Sequence, residues 1–144
     1  MKIGIVGKGK FGKKLYSKFK KFGNIQFFTG KDLNINFEID WVVIASSNNS
    51  HFNLVKLFLN KKINVFCEKP LTLSYKDSKL LFELAEKNKV KLYIDNVFLY
   101  RKEYIDLKNN LKFINSLKFT WEKHGSFNDN IYNYLYDIRF NKRF

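Results

Sequence analysis

The feature that most constrains this chain is a glycine motif that stands between a short apolar run and a helical pattern. Ile3, Ile5 and Val6 form the apolar run, and the spacing G-x-G-x-x-G follows it directly. Behind the motif, apolar residues recur at the three- and four-residue steps typical of a helix; they are Phe11, Leu15, Phe19 and Phe22. A strand, a glycine-rich turn and a helix in this order predict the first unit of an α/β fold.

Each glycine of the motif has its own physical role in such a turn. Gly7 allows the tight turn, Gly9 lets the backbone approach a diphosphate, and Gly12 lets the helix pack closely against the strand. The free N–H groups and the positive dipole end near Lys10 and Phe11 face the bound anion. The motif therefore predicts a dinucleotide-binding site, and the alternative is a glycine-rich turn that binds nothing.

The end of the second predicted strand, Ile25–Thr29, bears on which dinucleotide would bind. An NAD-binding unit usually carries an acidic residue about 20 residues beyond the glycines, bonded to the ribose 2′-hydroxyl. Here Thr29 stands near that position and Lys31 follows it. Because a hydroxyl and a cation suit a 2′-phosphate, the sequence favours NADP. Asp32 leaves NAD open, and a solvated turn is an equally open interpretation of Lys31.

Strand and helix patterns alternate along the chain as far as Ile94. Trp41–Ala45 is an unbroken apolar run, which suits a strand that is buried on both faces of a parallel sheet. Further strands are predicted over Ile63–Cys67 and Val90–Ile94. We expect one helix to begin at His51, and Ser74 with Asp77 forms a pattern like a capping box for another. The apolar face of that second helix is predicted to contain Leu80, Leu81, Leu84 and Ala85. This order predicts an open, doubly wound parallel sheet.

The pattern changes after Val97, which divides the chain into two parts. We expect a dinucleotide-binding domain over residues 1–97 and a shortened α+β substrate or dimerisation domain over residues 98–144. The second part is predicted to contain a helix, a strand and another helix, over Arg101–Leu111, Ile114–Trp121 and Ile131–Phe140. In this interpretation the strand has no partner, and an unpaired apolar strand favours association with another chain.

Three motifs together resemble those of the glucose–fructose oxidoreductase, inositol dehydrogenase and MocA family of nicotinamide-dependent oxidoreductases. They are the glycine motif, Ala45-Ser46-Ser47-Asn48 followed by His51, and Cys67-Glu68-Lys69-Pro70-Leu71, which is the most specific of them. The likeness continues through Ile94–Tyr100 and is faint beyond Glu103. It implies a Rossmann-type dinucleotide-binding domain and, at the end of a sheet strand, residues that touch both the cofactor and the substrate.

The resemblance also implies roles for particular residues. Lys69 contacts the substrate hydroxyl that becomes a carbonyl, where a cation stabilises negative charge and can shuttle the proton. Glu68 orients the ribose or the lysine. The remaining cofactor contacts fall on Ser46, Ser47, Asn48, His51 and Asn96, although capping or packing is the favoured role of His51. The family's substrate-domain His is absent, and its nearest counterparts as catalytic partners are Tyr136 and Asp137.

Two functions follow from this interpretation. The first is an NAD(P)-dependent oxidoreductase that transfers hydride to or from a sugar, a polyol or a nucleotide-linked sugar, with a second copy completing the site. The second is a non-catalytic dinucleotide-binding module. A nucleic-acid-binding domain would rest on the net charge of +14 alone, and the scattered lysines form no nucleic-acid-binding motif.

The cellular setting is predicted from features that the sequence lacks. It has no apolar run long enough to span a bilayer and no signal peptide after Met1. The lone Cys67 fits a reducing compartment. We therefore expect a cytoplasmic homo-oligomer with no membrane partner, no specific nucleic acid and no bound metal.

Overall fold

The computed structural model describes residues 1–30 and 38–110, together with the backbone of Ser116–Trp121 and Tyr136–Asn141. The chain divides into two compact units, Met1–Val97 and Phe98–Phe144. The strands of the first unit are β1 Lys2–Val6, β2 Asn24–Thr29, β3 Trp41–Ile44, β4 Asn64–Cys67 and β5 Leu92–Ile94. Its α-helices are α1 Lys10–Phe19, α2 Asn48–Asn60 and α3 Tyr75–Lys87. Among the described residues, no helix is long and apolar enough to cross a bilayer.

The strands of the first unit form one parallel sheet in the order β2-β1-β3-β4-β5. On one face, Leu15 of α1 packs against buried residues of the central strands; they are Ile3, Ile5 and Val43. On the other face, Val55 of α2 and Leu81 of α3 belong to a second apolar cluster. Helices therefore cover both faces, which confirms the predicted doubly wound parallel sheet.

The boundaries of the helices differ in detail from the predicted ones. Helix α1 ends at Phe19, so Phe22 lies beyond the helix and is 70% exposed. Helix α2 begins at Asn48 rather than at His51, because Ser47 already has the extended backbone conformation of an N-cap. The predicted cap of α3 is confirmed, since the Ser74 hydroxyl accepts a hydrogen bond from the Asp77 N–H at 3.4 Å.

The predicted apolar face of α3 is correct for only part of its length. Leu81 and Ala85, one helical turn apart, are buried, and Leu84 is partly buried at their side. Leu80 is 41% exposed. A helix can direct only one stripe of residues at the sheet, and in α3 the stripe runs through Leu81 and Ala85.

The second unit contains a helix and a two-stranded antiparallel sheet in the part of the chain that is described. A 3-10 helix, Val97–Tyr100, leads into α4 Lys102–Asn110, which confirms the helix predicted there. Strand β6 Ser116–Trp121 confirms the predicted strand and pairs with β7 Tyr136–Asn141. The prediction that β6 has no partner was therefore wrong.

The prediction of a helix over Ile131–Phe140 was wrong for its described part, because Tyr136–Asn141 is a strand. The reason is the period of the sequence: tyrosine, isoleucine and phenylalanine alternate there with aspartate, arginine and asparagine. An alternation of period two is typical of a strand. The pairing register agrees, since it places apolar residues opposite apolar residues; these pairs are Trp121 with Tyr136, Phe119 with Ile138 and Leu117 with Phe140.

Candidate functional site

The turn between β1 and α1 has a backbone shape that two of its glycines permit. Gly7 has φ +118°, a conformation that residues with side chains rarely adopt. Its N–H donates a hydrogen bond to the Thr29 carbonyl at 2.7 Å, which joins the turn to the end of β2. A Cβ atom at Gly12 would collide with the carbonyl oxygen of Gly7. The close packing of α1 on the turn therefore requires glycine at position 12.

A cavity of about 570 Å³ opens in front of this turn. Its lining includes Gly9, Lys10, Phe11, Gly30, Ser46 and Ser47. The first hydrogen bond of α1 runs from the Lys13 N–H to the Gly9 carbonyl, so the N–H groups before Lys13 precede the intrahelical ladder. A Cβ atom at Gly9 would have no atom within 4 Å. Free space beside a helix N-terminus is what a dinucleotide's diphosphate requires, so these residues fit that group.

The loop after β3 supplies hydroxyl groups to this first cavity. The Ser50 hydroxyl donates a hydrogen bond to the Ser47 carbonyl at 2.7 Å. That bond uses the only hydrogen of the Ser50 hydroxyl. In the 2.7 Å contact between the hydroxyl oxygens of Ser46 and Ser50, Ser46 is therefore the donor. These bonds hold the loop in shape while Ser46, Ser47 and Ser50 still line the cavity. Asn48 is exposed, at the first position of α2.

His51 lies under this loop and is fully buried. Its Nδ1 is 2.7 Å from the Pro70 carbonyl oxygen and its Nε2 is 3.2 Å from the Ser46 carbonyl oxygen. A ring nitrogen donates to its carbonyl only when it carries a hydrogen, so the roles of the two contacts depend on the tautomer. The ring therefore joins the loop after β3 to the turn after β4, which is the packing role favoured from the sequence.

A second cavity, of about 530 Å³, lies at the carboxyl ends of β4 and β5. Phe11 lines it as well as the first cavity, together with Glu68, Lys69 and Asp95. Lys69 is exposed, whereas Glu68 is only 9% exposed. The Glu68 Oε1 atom is buried and has no hydrogen-bond partner within the described part of the chain. Such an orphaned oxygen is typical of a site that a ligand or a proton completes.

Burial dominates the electrostatics at the end of β4. It raises the pKa of Glu68, and the adjacent Asp95 carboxyl raises it further, to about 7, against the opposing influence of Lys69. Burial and the Glu68 charge raise the pKa of the Cys67 thiol to about 12. Cys67 therefore stays protonated near neutral pH and acts as a packing residue rather than as a nucleophile.

Some of the residues predicted from the sequence lie outside these two linings. Asn96 is exposed beyond the end of β5, where its N–H donates to the Ile94 carbonyl at 2.7 Å. Tyr136 and Asp137 lie on β7 in the second unit, where only the backbone is described. Lys31 falls outside the described residues.

The cavity residues that the sequence prediction missed include Asp95 and Ser50. The signal for Asp95 was available, because it follows a strand that is parallel to β4 and ends beside it. Ser50 stood within a recognised polar loop. Its place in the cavity depends on α2 beginning earlier than predicted, which brings it into the first helical turn.

The fold and the glycine turn define a Rossmann-type dinucleotide-binding domain, with its cavities at the carboxyl edge of the sheet. The chain belongs to the oxidoreductase family with an NAD-binding Rossmann fold, GFO_IDH_MocA, whose profile matches residues 20–96. This confirms the family resemblance inferred from the motifs. The matched region includes the polar loop after β3 and the Glu68-Lys69-Pro70 motif after β4.

Similar proteins of known name extend this comparison. An uncharacterized oxidoreductase of Schizosaccharomyces pombe is 37% identical over 92 residues, which are 59% of this chain and 25% of that protein. Inositol 2-dehydrogenase of Salmonella typhimurium is 36% identical over 73 residues, 50% of this chain and 22% of the enzyme. The chain thus matches about a quarter of the length of these curated relatives.

A solved structure shares the fold. Biliverdin reductase from Synechocystis sp. PCC 6803, in complex with biliverdin and NADP⁺, superposes with a TM-score of 0.64 at 23% identity. The superposition covers 83% of this chain and 46% of that one.

Proposed function

We propose that the first unit binds a nicotinamide dinucleotide across both cavities, with NADP preferred, and that the protein is an NAD(P)-dependent oxidoreductase. The observation that carries the proposal is that Phe11 lines both cavities. A diphosphate held at the glycine turn in the first cavity leaves one nucleoside to extend past Phe11 toward Glu68 and Lys69. Family membership supports the same ligand.

In this proposal, each part of the site has a separate task. The N–H groups at the start of α1 bind the diphosphate, and the hydroxyls of Ser46 and Ser47 contact the ribose and phosphates. The bound nicotinamide supplies the carbon that gives or accepts hydride. Lys69 bears the ammonium group that stabilises negative charge on the substrate oxygen and exchanges its proton. Tyr136 and Asp137 are retained as candidate partners of Lys69.

The substrate class that we propose is a sugar, a polyol or a nucleotide-linked sugar. The name of one relative, inositol 2-dehydrogenase, supports a polyol. Carbinol oxidation places negative charge on the substrate oxygen, and the Lys69 ammonium group is assigned to bind that oxygen and stabilise the charge while the hydroxyl proton passes to a partner such as Asp137 or to solvent. We further propose that a second copy of the chain contributes to the substrate site.

A non-catalytic dinucleotide-binding module is the second candidate. The observation that favours it is that both cavities are lined entirely by residues of the first unit, Met1–Val97. Binding of the dinucleotide would then need no contribution from the rest of the chain. Turnover with any polyol or sugar, together with bound nucleotide, would exclude this candidate.

Substitution of Gly30 tests the preference for NADP. Gly30 lines the first cavity beyond the end of β2, and an added Cβ atom would have no neighbour within 4 Å. Gly30→Asp should weaken NADPH binding about tenfold or more and favour NADH, because a carboxylate repels the 2′-phosphate and binds the 2′-hydroxyl. Fluorescence titration of both nucleotides measures this change.

Gly30→Asn is the matched control, since it adds nearly the same volume without the charge. Its NADPH affinity should stay close to that of the unsubstituted protein. If both variants weaken NADPH binding equally, charge is not the cause and the assignment of this end of the site to the 2′-phosphate is wrong. If the unsubstituted protein binds neither nucleotide, the proposed function itself fails.

A further inference from the structure

The pairing of β4 with β5 places two carboxyl groups side by side at the edge of the sheet. Phe66 is the register partner of Tyr93, and Cys67 is the partner of Ile94. The Asp95 N–H donates to the Cys67 carbonyl at 2.8 Å, so the parallel pairing continues past the ends of the strands. Side chains two residues apart share a face. Glu68 and Asp95 are therefore neighbours on the face that carries Phe66 and Tyr93.

The surroundings of this pair make its ionisation costly. Glu68 is 9% exposed, and its Oε1 atom has no hydrogen-bond partner in the described part of the chain. Two adjacent carboxyl groups seldom ionise together, because the second negative charge is repelled by the first. The pKa of Glu68 is accordingly raised to about 7, by burial first and by Asp95 second.

The described charged and titratable groups near Glu68 come from three elements. On its own strand end they are Cys67, whose pKa is raised to about 12, and Lys69. Asp95 comes from the end of β5, and Lys14 and Lys18 line the same cavity from α1. Among these groups, Glu68 is the one whose pKa is raised to about 7.

The oxidised and reduced forms of a nicotinamide ring differ in charge. The oxidised ring is a pyridinium cation, whereas the reduced ring is neutral. A cation beside two carboxyl groups favours loss of their shared proton, and a neutral ring does not. A carboxyl pair at the nicotinamide end of the site is therefore able to distinguish the two redox states through charge alone.

We propose that Asp95 is a positioning residue of the nucleotide site, and that the Glu68–Asp95 pair makes selection of the oxidised nucleotide depend on pH. This inference rests on the proposed function. Binding of the oxidised nucleotide releases the proton that the pair shares, which goes to solvent. Binding of the reduced nucleotide leaves the proton in place. Affinity for the oxidised form, relative to the reduced form, therefore rises with pH.

The test compares NADP⁺ and NADPH binding to the full chain by calorimetry at about pH 6 and about pH 8, which bracket the titration of the pair. If binding lowers the pKa by about one unit, the ratio of the two affinities should shift toward NADP⁺ by about fivefold over this range. The 2′-phosphate also titrates near this range. It is common to both nucleotides, so its effect cancels in the ratio.

Two nearly isosteric variants isolate the pair. Asp95→Asn removes the neighbouring carboxyl group but leaves Glu68 buried, so Glu68 ionises at lower pH and the change in the affinity ratio between about pH 6 and about pH 8 should become smaller. Glu68→Gln should flatten the ratio, and calorimetry in buffers of different ionisation enthalpy should show no proton release on NADP⁺ binding. Glu86→Gln, an exposed change on α3, should behave like the unsubstituted protein.

Each remaining outcome contradicts a separate claim. If both nucleotides bind but the ratio of the NADP⁺ and NADPH affinities does not change with pH, the inference is wrong and the proposed function still stands. An unchanged pH dependence in both Asp95→Asn and Glu68→Gln overturns it too. Absence of binding by NADP⁺, NADPH, NAD⁺ and NADH overturns the proposed function, and the inference with it.

Discussion

The two cavities of the first unit are built by different means. The first depends on backbone: the turn at Gly7 and the close approach of α1 at Gly12 leave N–H groups and free space at the helix start. The second depends on side chains, since Glu68, Lys69 and Asp95 meet there because β4 and β5 are in register. The comparison shows that the shape of the first cavity is determined by steric contacts of the backbone, whereas the properties of the second cavity are determined by the charges of its side chains.

If sterics control the first cavity, Gly12→Ala should have the largest effect on stability. The added methyl group would meet the Gly7 carbonyl oxygen, which is backbone and has little freedom to move. Overpacking against side chains typically costs 1–3 kcal/mol, and we expect about 3 kcal/mol or more here. Urea denaturation of both proteins measures this loss.

Gly9→Ala is the matched control within the same motif. Its methyl group would have no neighbour within 4 Å and would enter the first cavity. We expect a loss of at most about 1 kcal/mol in stability, from the N-cap position, but clearly weaker nucleotide binding. Equal stability losses for Gly9→Ala and Gly12→Ala would show that steric contact with the Gly7 carbonyl does not explain the motif.

If charge controls the second cavity, Glu68→Gln should change how stability depends on pH. The pKa of Glu68 is raised in the folded protein, from 4.5 to about 7. Between these values the unfolded chain is ionised and the folded one is not, so stability falls as pH rises through this window. Removal of the acid should abolish that fall, and near pH 8 the variant should be more stable by roughly 1 kcal/mol, because solvent in the cavity screens the charge.

Denaturation curves at several pH values measure the effect of Glu68→Gln. The control is again Glu86→Gln on α3, which should change stability by less than about 0.5 kcal/mol at any pH, as exposed substitutions do. A fall in stability between pH 4.5 and about 7 that persists in Glu68→Gln would mean that another group causes it.

The same contrast explains which parts of the molecule were predictable from sequence. The glycine motif has a fixed spacing and a local physical cause, so the turn, the helix after it and the parallel sheet were predicted correctly. The proximity of Asp95 to Glu68 arises from the pairing of two strands distant in sequence; the position of Asp95 directly after a predicted strand was a signal for it, but the pattern alone does not show that this strand lies beside β4. Strand β7 was missed for another reason: its alternating pattern, Tyr136 to Asn141, was outweighed by its aromatic content.

Lys69→Ala should change the free energy of nucleotide binding only slightly, and it tests which function the second cavity has. The Lys69 side chain is exposed, so loss of its charge should alter nucleotide binding by less than about 1 kcal/mol. Turnover of any polyol or sugar substrate should nevertheless be lost, because the substrate oxygen then has no adjacent ammonium group. Titration with NADPH and a nucleotide-reduction assay measure the two effects separately. If Lys69→Ala binds NADPH weakly, this lysine is part of the nucleotide-binding site. The distinction between a first cavity that binds the nucleotide and a second cavity that carries out the reaction would then no longer hold.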